Sequence, residues 1–166
     1  MGKKQKVIVD TNILIDLCVG DLFEEFFSLS YIVFIPDVIK EEYNNPVECI
    51  KTIRRIRNKG LSSKDVEKIY EFFKEHPSLS VGDIFAFWLA KKERAILLTG
   101  DGKLKKLANK YEVEVHGILW IMDNIYEKNS KNGKKLLRAL KKILNRGSRL
   151  PEKECKKREE RWKVNK

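Results

Sequence analysis

Val7-Ile8-Val9 is an apolar run with no polar alternation, and it ends on Asp10. A strand that faces water on one side alternates polar and apolar residues. An unbroken β-branched run is instead buried on both faces, as in parallel sheets covered by helices. Tyr31–Ile35, stopped by Pro36, and Ala95–Thr99 repeat the pattern, and Val113–His116 offers a fourth strand. Helical stretches separate these runs: Asn12–Cys18, Asp21–Leu29, Asp37–Tyr43, Val47–Arg57 ended by Asn58-Lys59-Gly60, a piece from Ser62 to Glu75, Ser80–Lys92 and Gly102–Lys110. Strands alternating with helices predict an α/β fold, a parallel central sheet flanked by helices, with right-handed crossovers. Ile84, Phe85, Phe87, Trp88 and Leu89 cover most of one helix's circumference, which predicts a central, buried helix.

After Gly117 the chain reads as helical throughout: Ile118–Glu127, Gly133–Asn145, and a charged last helix beyond the turn Gly147-Ser148-Arg149-Leu150-Pro151. Charge divides along the same line. Residues 1–127 hold 19 Lys+Arg against 20 Asp+Glu, whereas residues 128–166 hold 16 against 4. The expectation is a core over 1–127 and a basic helical extension over 128–166 packed on it, with a polyanion or an acidic partner opposite the excess charge. On Gly133–Asn145, Lys134, Lys135, Arg138, Lys141 and Lys142 share one broad face opposite Leu136, Leu137, Leu140, Ile143 and Leu144. Those five cations are the candidates to meet such a polyanion.

Three cysteines at wide spacing, without a C-x-x-C, argue against a disulfide framework or a zinc site and favour a reducing compartment. Two histidines exclude a His-rich metal centre. Met1–Lys6 is polar rather than a signal-type apolar block, and the longest apolar run, Ile84–Ala90, is too short to span a bilayer. A soluble, cytoplasmic protein with no membrane partner is expected.

Carboxylates recur where strands have just ended or an apolar helix begins: Asp10, the acids after Ile35-Pro36, Asp83 in Ser80-Val81-Gly82-Asp83, and Asp101 in Leu97-Leu98-Thr99-Gly100-Asp101. Side chains past the carboxyl ends of parallel strands converge on one crevice. Several bare carboxylates there would raise one another's pKa, and a hard divalent cation, Mg²⁺ or Mn²⁺, resolves the conflict. Each acid singly has an ordinary explanation: Asp10 and Asp101 as helix N-caps, Asp83 in a capping box with Ser80, Glu42 as a solvated helix residue. Asp16, Asp37 and Asp123 read as surface or cap residues. The combination points to a metal-dependent phosphodiester enzyme.

The ordered set Val-Asp-Thr-Asn, a Pro-led helix carrying an acid, an Asp opening an apolar helix, and Leu-Leu-Thr-Gly-Asp resembles the PIN-domain ribonucleases over about residues 6–120. The resemblance implies a helix-flanked parallel sheet and a nuclease site of one or two Mg²⁺ or Mn²⁺ ions held by Asp10, Glu42, Asp83 and Asp101. Thr11, Asn12 and Thr99 would support them, and Glu41 is the adjacent alternative to Glu42. It further implies hydrolysis of RNA by an activated water, a homodimer, and either the toxin of a VapBC-type pair held by a small antitoxin or a housekeeping RNA-processing nuclease. Tyr43, Ile50, Ile53 and Ile56 offer apolar area for such a dimer. A haloacid-dehalogenase-type phosphatase would need a second Asp where Asn12 stands. A non-catalytic RNA- or protein-binding module is the rival from another class.

Overall fold

The computed structural model describes residues 4–37 and 56–164. Five strands form one parallel sheet: β1 (Lys6–Val9), β2 (Ile32–Pro36), β3 (Arg57–Lys59), β4 (Ile96–Leu98) and β5 (Val115–His116), in the order β3-β2-β1-β4-β5. The register pairs Val7 with Val33 and Ile96, and Ile8 with Phe34 and Leu97. The helices are α1 (Thr11–Val19), α2 (Phe23–Ser28), α3 (Ser63–Glu75), α4 (Val81–Glu93), α5 (Gly102–Lys110), α6 (Ile118–Lys128), α7 (Gly133–Asn145) and α8 (Glu152–Lys163).

Successive strand residues point to opposite faces, and the apolar runs divide accordingly. Val7, Val9, Val33, Ile35, Ile96 and Leu98 enter one core, with α1, α2, α6, α7 and α8. Ile8, Phe34 and Leu97 enter the other, with α3, α4 and α5. Both faces are therefore sealed, as the lack of alternation predicts. In α4, Ile84, Phe87 and Leu89 are fully buried, while Phe85 and Trp88 are partly buried against the same cluster.

Arg57–Lys59 departs from expectation, because the sequence predicts a helix end and a turn there and the chain forms a strand. It is an edge strand joined to β2 alone, with two exposed residues in three. Backbone pairing with Phe34, Ile35 and Pro36 holds it, and a polar Arg-Asn-Lys string carries no side-chain pattern to announce that.

α7 and α8 are built into the first core. Leu136, Ala139, Leu140 and Ile143 of α7 and Cys155 and Trp162 of α8 are buried in it. Gly133 lets the two helices meet: a Cβ there would lie 2.5 Å from the Trp162 carbonyl oxygen. Cys155 is a free thiol, but Cys18 is disulfide-bonded, which departs from the expectation of reduced cysteines; sequence spacing carries no information on distance in the fold. Among the described residues no helix is long and apolar enough to cross a membrane.

Candidate active site

The sheet reverses its winding between β1 and β4: from β1 the strand order runs through β2 to β3 on one side, and through β4 to β5 on the other. Carboxyl ends of strands at such a reversal open a crevice, the usual place for a ligand in an α/β sheet. Asp10 follows β1 and Thr99-Gly100-Asp101 follow β4, so the two acids flank it. The Asp10 backbone N–H donates to the Leu98 carbonyl at 2.9 Å, which extends the β1–β4 pairing to the acid itself.

Asp10 is 7 % exposed and Thr99 fully buried. The Thr99 hydroxyl donates to Asp10 Oδ2 at 2.9 Å and accepts from the Asp101 backbone N–H at 3.1 Å. Asp101 caps α5, accepting from the Leu104 N–H at 2.8 Å. Asp83 closes a capping box on α4: its Oδ2 accepts from the Ser80 N–H at 2.8 Å, and its own N–H donates to the Ser80 hydroxyl at 3.1 Å. The ordinary capping explanations of Asp83 and Asp101 are thus realised. Each of these caps engages one carboxylate oxygen, Asp83 Oδ2 and Asp101 Oδ1.

Burial pushes the Asp10 carboxyl up from 3.8 to about 6. The Thr99 hydroxyl and the Thr11 backbone N–H pull it down, and the charges of Asp83 and Asp101 push it further up. The last two effects place Asp83 and Asp101 within electrostatic reach of Asp10. Of the sequence-predicted acids, Asp10 and Asp101 are bridged by Thr99, Thr11 begins α1 beside Asp10, and Asp83 is within electrostatic reach of Asp10. Asn12 is exposed on the first turn of α1. Glu41 and Glu42 lie outside the described residues.

The donor set fits a hard divalent cation: carboxylate oxygens only, crowded enough to raise the pKa of the most buried member. The described residues form no preassembled cage of three or more ligating side chains. Mg²⁺ is commonly held by one or two carboxylates and keeps several waters, so a closed cage is not required.

Beside the acids, a cleft of about 470 Å³ opens between Asn12 and Asp101 on one side and residues 146–151 on the other. Its surroundings include residues that sequence reasoning missed. Asp16, read as a surface or cap residue, is 6 % exposed and accepts from the Ser148 hydroxyl at 2.7 Å and from Arg146 Nη1 at 3.3 Å. Burial raises its pKa, and Ser148 and Arg146 oppose that rise. No signal in the sequence joins residues 132 positions apart. Asp123, also read as surface, receives both Arg158 Nε and Nη2, at 2.9 and 2.7 Å.

A family model described as "DUF3368: PIN domain" matches residues 6–163. The chain belongs to the PIN-domain family. The match takes in α7 and α8 as well as the sheet. Among solved structures, a chain in the crystal structure of VapBC2 from Rickettsia felis bound to a DNA fragment from its promoter superposes with a TM-score of 0.50. The identity is 14 %, over 68 % of this chain and 98 % of that one, so the likeness concerns the fold. No curated protein matches the chain.

Of the candidate RNA-binding cations on this PIN-domain chain, Lys134, Arg138, Lys141 and Lys142 are exposed and make no ion pair with a described residue. Lys135 instead reaches Glu25 at 2.8 Å and Asp21 at 3.8 Å. On α8, Lys156, Lys157, Arg158 and Arg161 are all matched by acids of α8 or α6. Of the candidate dimer residues, Ile56 packs against the first core, and Tyr43, Ile50 and Ile53 lie outside the described residues.

Proposed function

We propose that this chain is a divalent-metal-dependent endoribonuclease of the VapC toxin type. One observation carries the reading: Asp10 and Asp101, at the ends of neighbouring strands β1 and β4, are joined through the Thr99 hydroxyl, and Asp83 lies within electrostatic reach of Asp10. With Glu42, or Glu41 beside it, they would hold one or two Mg²⁺ or Mn²⁺ ions. A bound ion there supplies positive charge at the scissile phosphate and an activated water for in-line attack. The chain's own part is to keep the acids in place before substrate arrives. Thr99 fixes Asp10 Oδ2 and the Asp101 backbone, and the caps of α4 and α5 fix Asp83 and Asp101, so little reorganisation remains at the moment of reaction. No side-chain nucleophile is needed.

The α7 cations that make no ion pair with a described residue would attract the RNA backbone, and a homodimer in the cytoplasm is part of the same reading. The fold likeness to a VapBC2 chain favours a small antitoxin as partner over a housekeeping role.

The test is cleavage of single-stranded RNA by the purified chain with Mg²⁺ or Mn²⁺, with and without chelator, for the parent and Asp10→Asn. Metal-dependent cleavage by the parent and its loss in the variant are expected. Cleavage that persists in chelator, or an Asp10→Asn variant as active as the parent, overturns the reading. Glu41→Gln and Glu42→Gln, assayed separately, decide between the neighbours.

A further inference from the structure

The cleft beside Asp101 differs in character from the acidic crevice it adjoins. Its walls are α1 at Asn12, residues 100–105, residues 117–120, and the segment 146–151 that joins α7 to α8. Two cations, Lys105 and Arg149, face it without an ion-pair partner among the described residues, while Trp120, Leu119 and Leu150 give it apolar surface. The wall is built in advance. Gly147 at φ 102° turns the chain, its N–H donating to the Leu144 carbonyl at 2.9 Å, and Ser148 and Arg146 then anchor the segment on buried Asp16. Trp120 is itself braced by the ring of His116, parallel to it at 4.2 Å.

We propose that this cleft is a nucleotide subsite, taking the RNA nucleotide next to the scissile phosphate, with Lys105 and Arg149 on a phosphate and the apolar wall against the base. The assignment rests on the nuclease reading of the acids and names where their substrate lies. Three observations favour RNA. Ligand pockets run about 300–1,000 Å³, and a cleft of about 470 Å³ accommodates one nucleotide but not a folded segment. Unpaired cations beside apolar surface match a nucleotide's own division into phosphate and base. Finally, Asp101 lines the cleft and is tied through Thr99 to Asp10, so a strand entering the cleft is led to the acids. The cations of α7 continue that path, because α7 ends where the cleft wall begins.

The experiment uses the full chain and a fluorescein-labelled ribonucleotide hexamer, first in chelator, so that binding is read without cleavage. Lys105→Gln with Arg149→Gln should weaken binding by about tenfold and flatten the log–log salt slope by about 0.7, the share of one phosphate. Lys64→Gln with Lys68→Gln, an equal loss of two charges on α3 across the sheet, should change affinity less than twofold. A 4-thiouridine in the hexamer should cross-link to residues 117–120 or 146–151. An unchanged affinity in the cleft double variant, a loss matched by Lys64→Gln with Lys68→Gln, or cross-links elsewhere overturn the subsite. So does an acidic peptide that occupies the cleft when RNA does not, which would assign the surface to a protein partner. Adding Mn²⁺ separates the two levels of inference. A parent that binds RNA in the cleft but never cuts it removes the nuclease reading and leaves the subsite. A parent that cuts, with a double variant that binds and cuts equally well, removes the subsite alone.

Discussion

The Thr99 hydroxyl lies 2.9 Å from Asp10 Oδ2, and both residues are buried at the ends of neighbouring strands. Thr99 Oγ1 in turn accepts the Asp101 N–H, so one threonine ties together the acids that follow β1 and β4. A β-branched residue suits the strand end, and of Val, Ile and Thr only Thr can both donate and accept.

Thr99→Val keeps the shape and removes both bonds. The part-buried Asp101 N–H and the buried Asp10 Oδ2 lose their partner, at a cost of about 1–3 kcal/mol. The variant should unfold at lower urea, and under the nuclease reading it should lose more activity than stability because Asp10 is freed to rotate. Thr99→Ser should restore most of both. A valine variant as stable as the parent would remove Thr99 from this role.

Asp10 gives a pH signature. Its pKa is about 6 in the folded chain against 3.8 ordinarily. Between those values the folded chain holds a proton that the unfolded chain has released, so this residue's contribution falls as pH rises through that window. The full loss amounts to about 3 kcal/mol. In metal-free buffer, Asp10→Asn should therefore be the more stable protein at pH 7, and the difference should shrink towards pH 4. Mn²⁺ should raise the melting temperature of the parent and not of the variant. Urea midpoints at the two pH values for both proteins check the first statement, and a thermal shift checks the second. Parallel pH profiles would contradict it.

Much of this was legible in the chain itself. Unbroken apolar runs gave the two-faced sheet, Ser62 and Ser80 gave the starts of α3 and α4, and strand-end aspartates gave the crevice. The remainder depends on contacts between distant residues. β3 forms through backbone pairing and leaves no side-chain trace. Asp16 meets Ser148 only after the whole chain has folded. Net charge also misled as to surface: the +12 of residues 128–166 sums cations that face solvent on α7 with cations that α8 spends on Asp123, Glu127 and its own glutamates. Composition counts charges but not their partners.

The contact between α7 and α8 leads to a prediction about packing. Gly133→Ala places a methyl against the Trp162 carbonyl oxygen, which is backbone and cannot swing aside. Overpacking of this kind costs about 1–3 kcal/mol, more than the gain in helix propensity from replacing glycine. Trp162→Ala should cost about 3–5 kcal/mol by emptying a fully buried site. Denaturant titration checks both, and a Gly133→Ala variant more stable than the parent would show that the helices part without penalty.

The last prediction separates exposed cations from paired ones. Lys134, Arg138 and Lys141 of α7 have no ion-pair partner among the described residues, whereas Lys156 and Lys157 of α8 reach Glu152 and Glu154 at 2.6 and 3.0 Å. Neutralising the α7 set to Gln removes three charges free to meet phosphates, and each phosphate contact contributes about −0.7 to the log–log salt slope with a single strand. The slope for a long single-stranded RNA should flatten by about 2. Lys156→Gln with Lys157→Gln removes charges already matched by neighbouring glutamates, so the slope should change by less than half as much. Exposed pairs of that sort contribute little to folding, and both variants should keep the parent's melting temperature within a few degrees. If the two variants flatten the slope equally, RNA responds to total charge rather than to the α7 face. If neither does, that face serves a protein partner, and binding of a co-expressed small antitoxin becomes the measurement to repeat with the same variants.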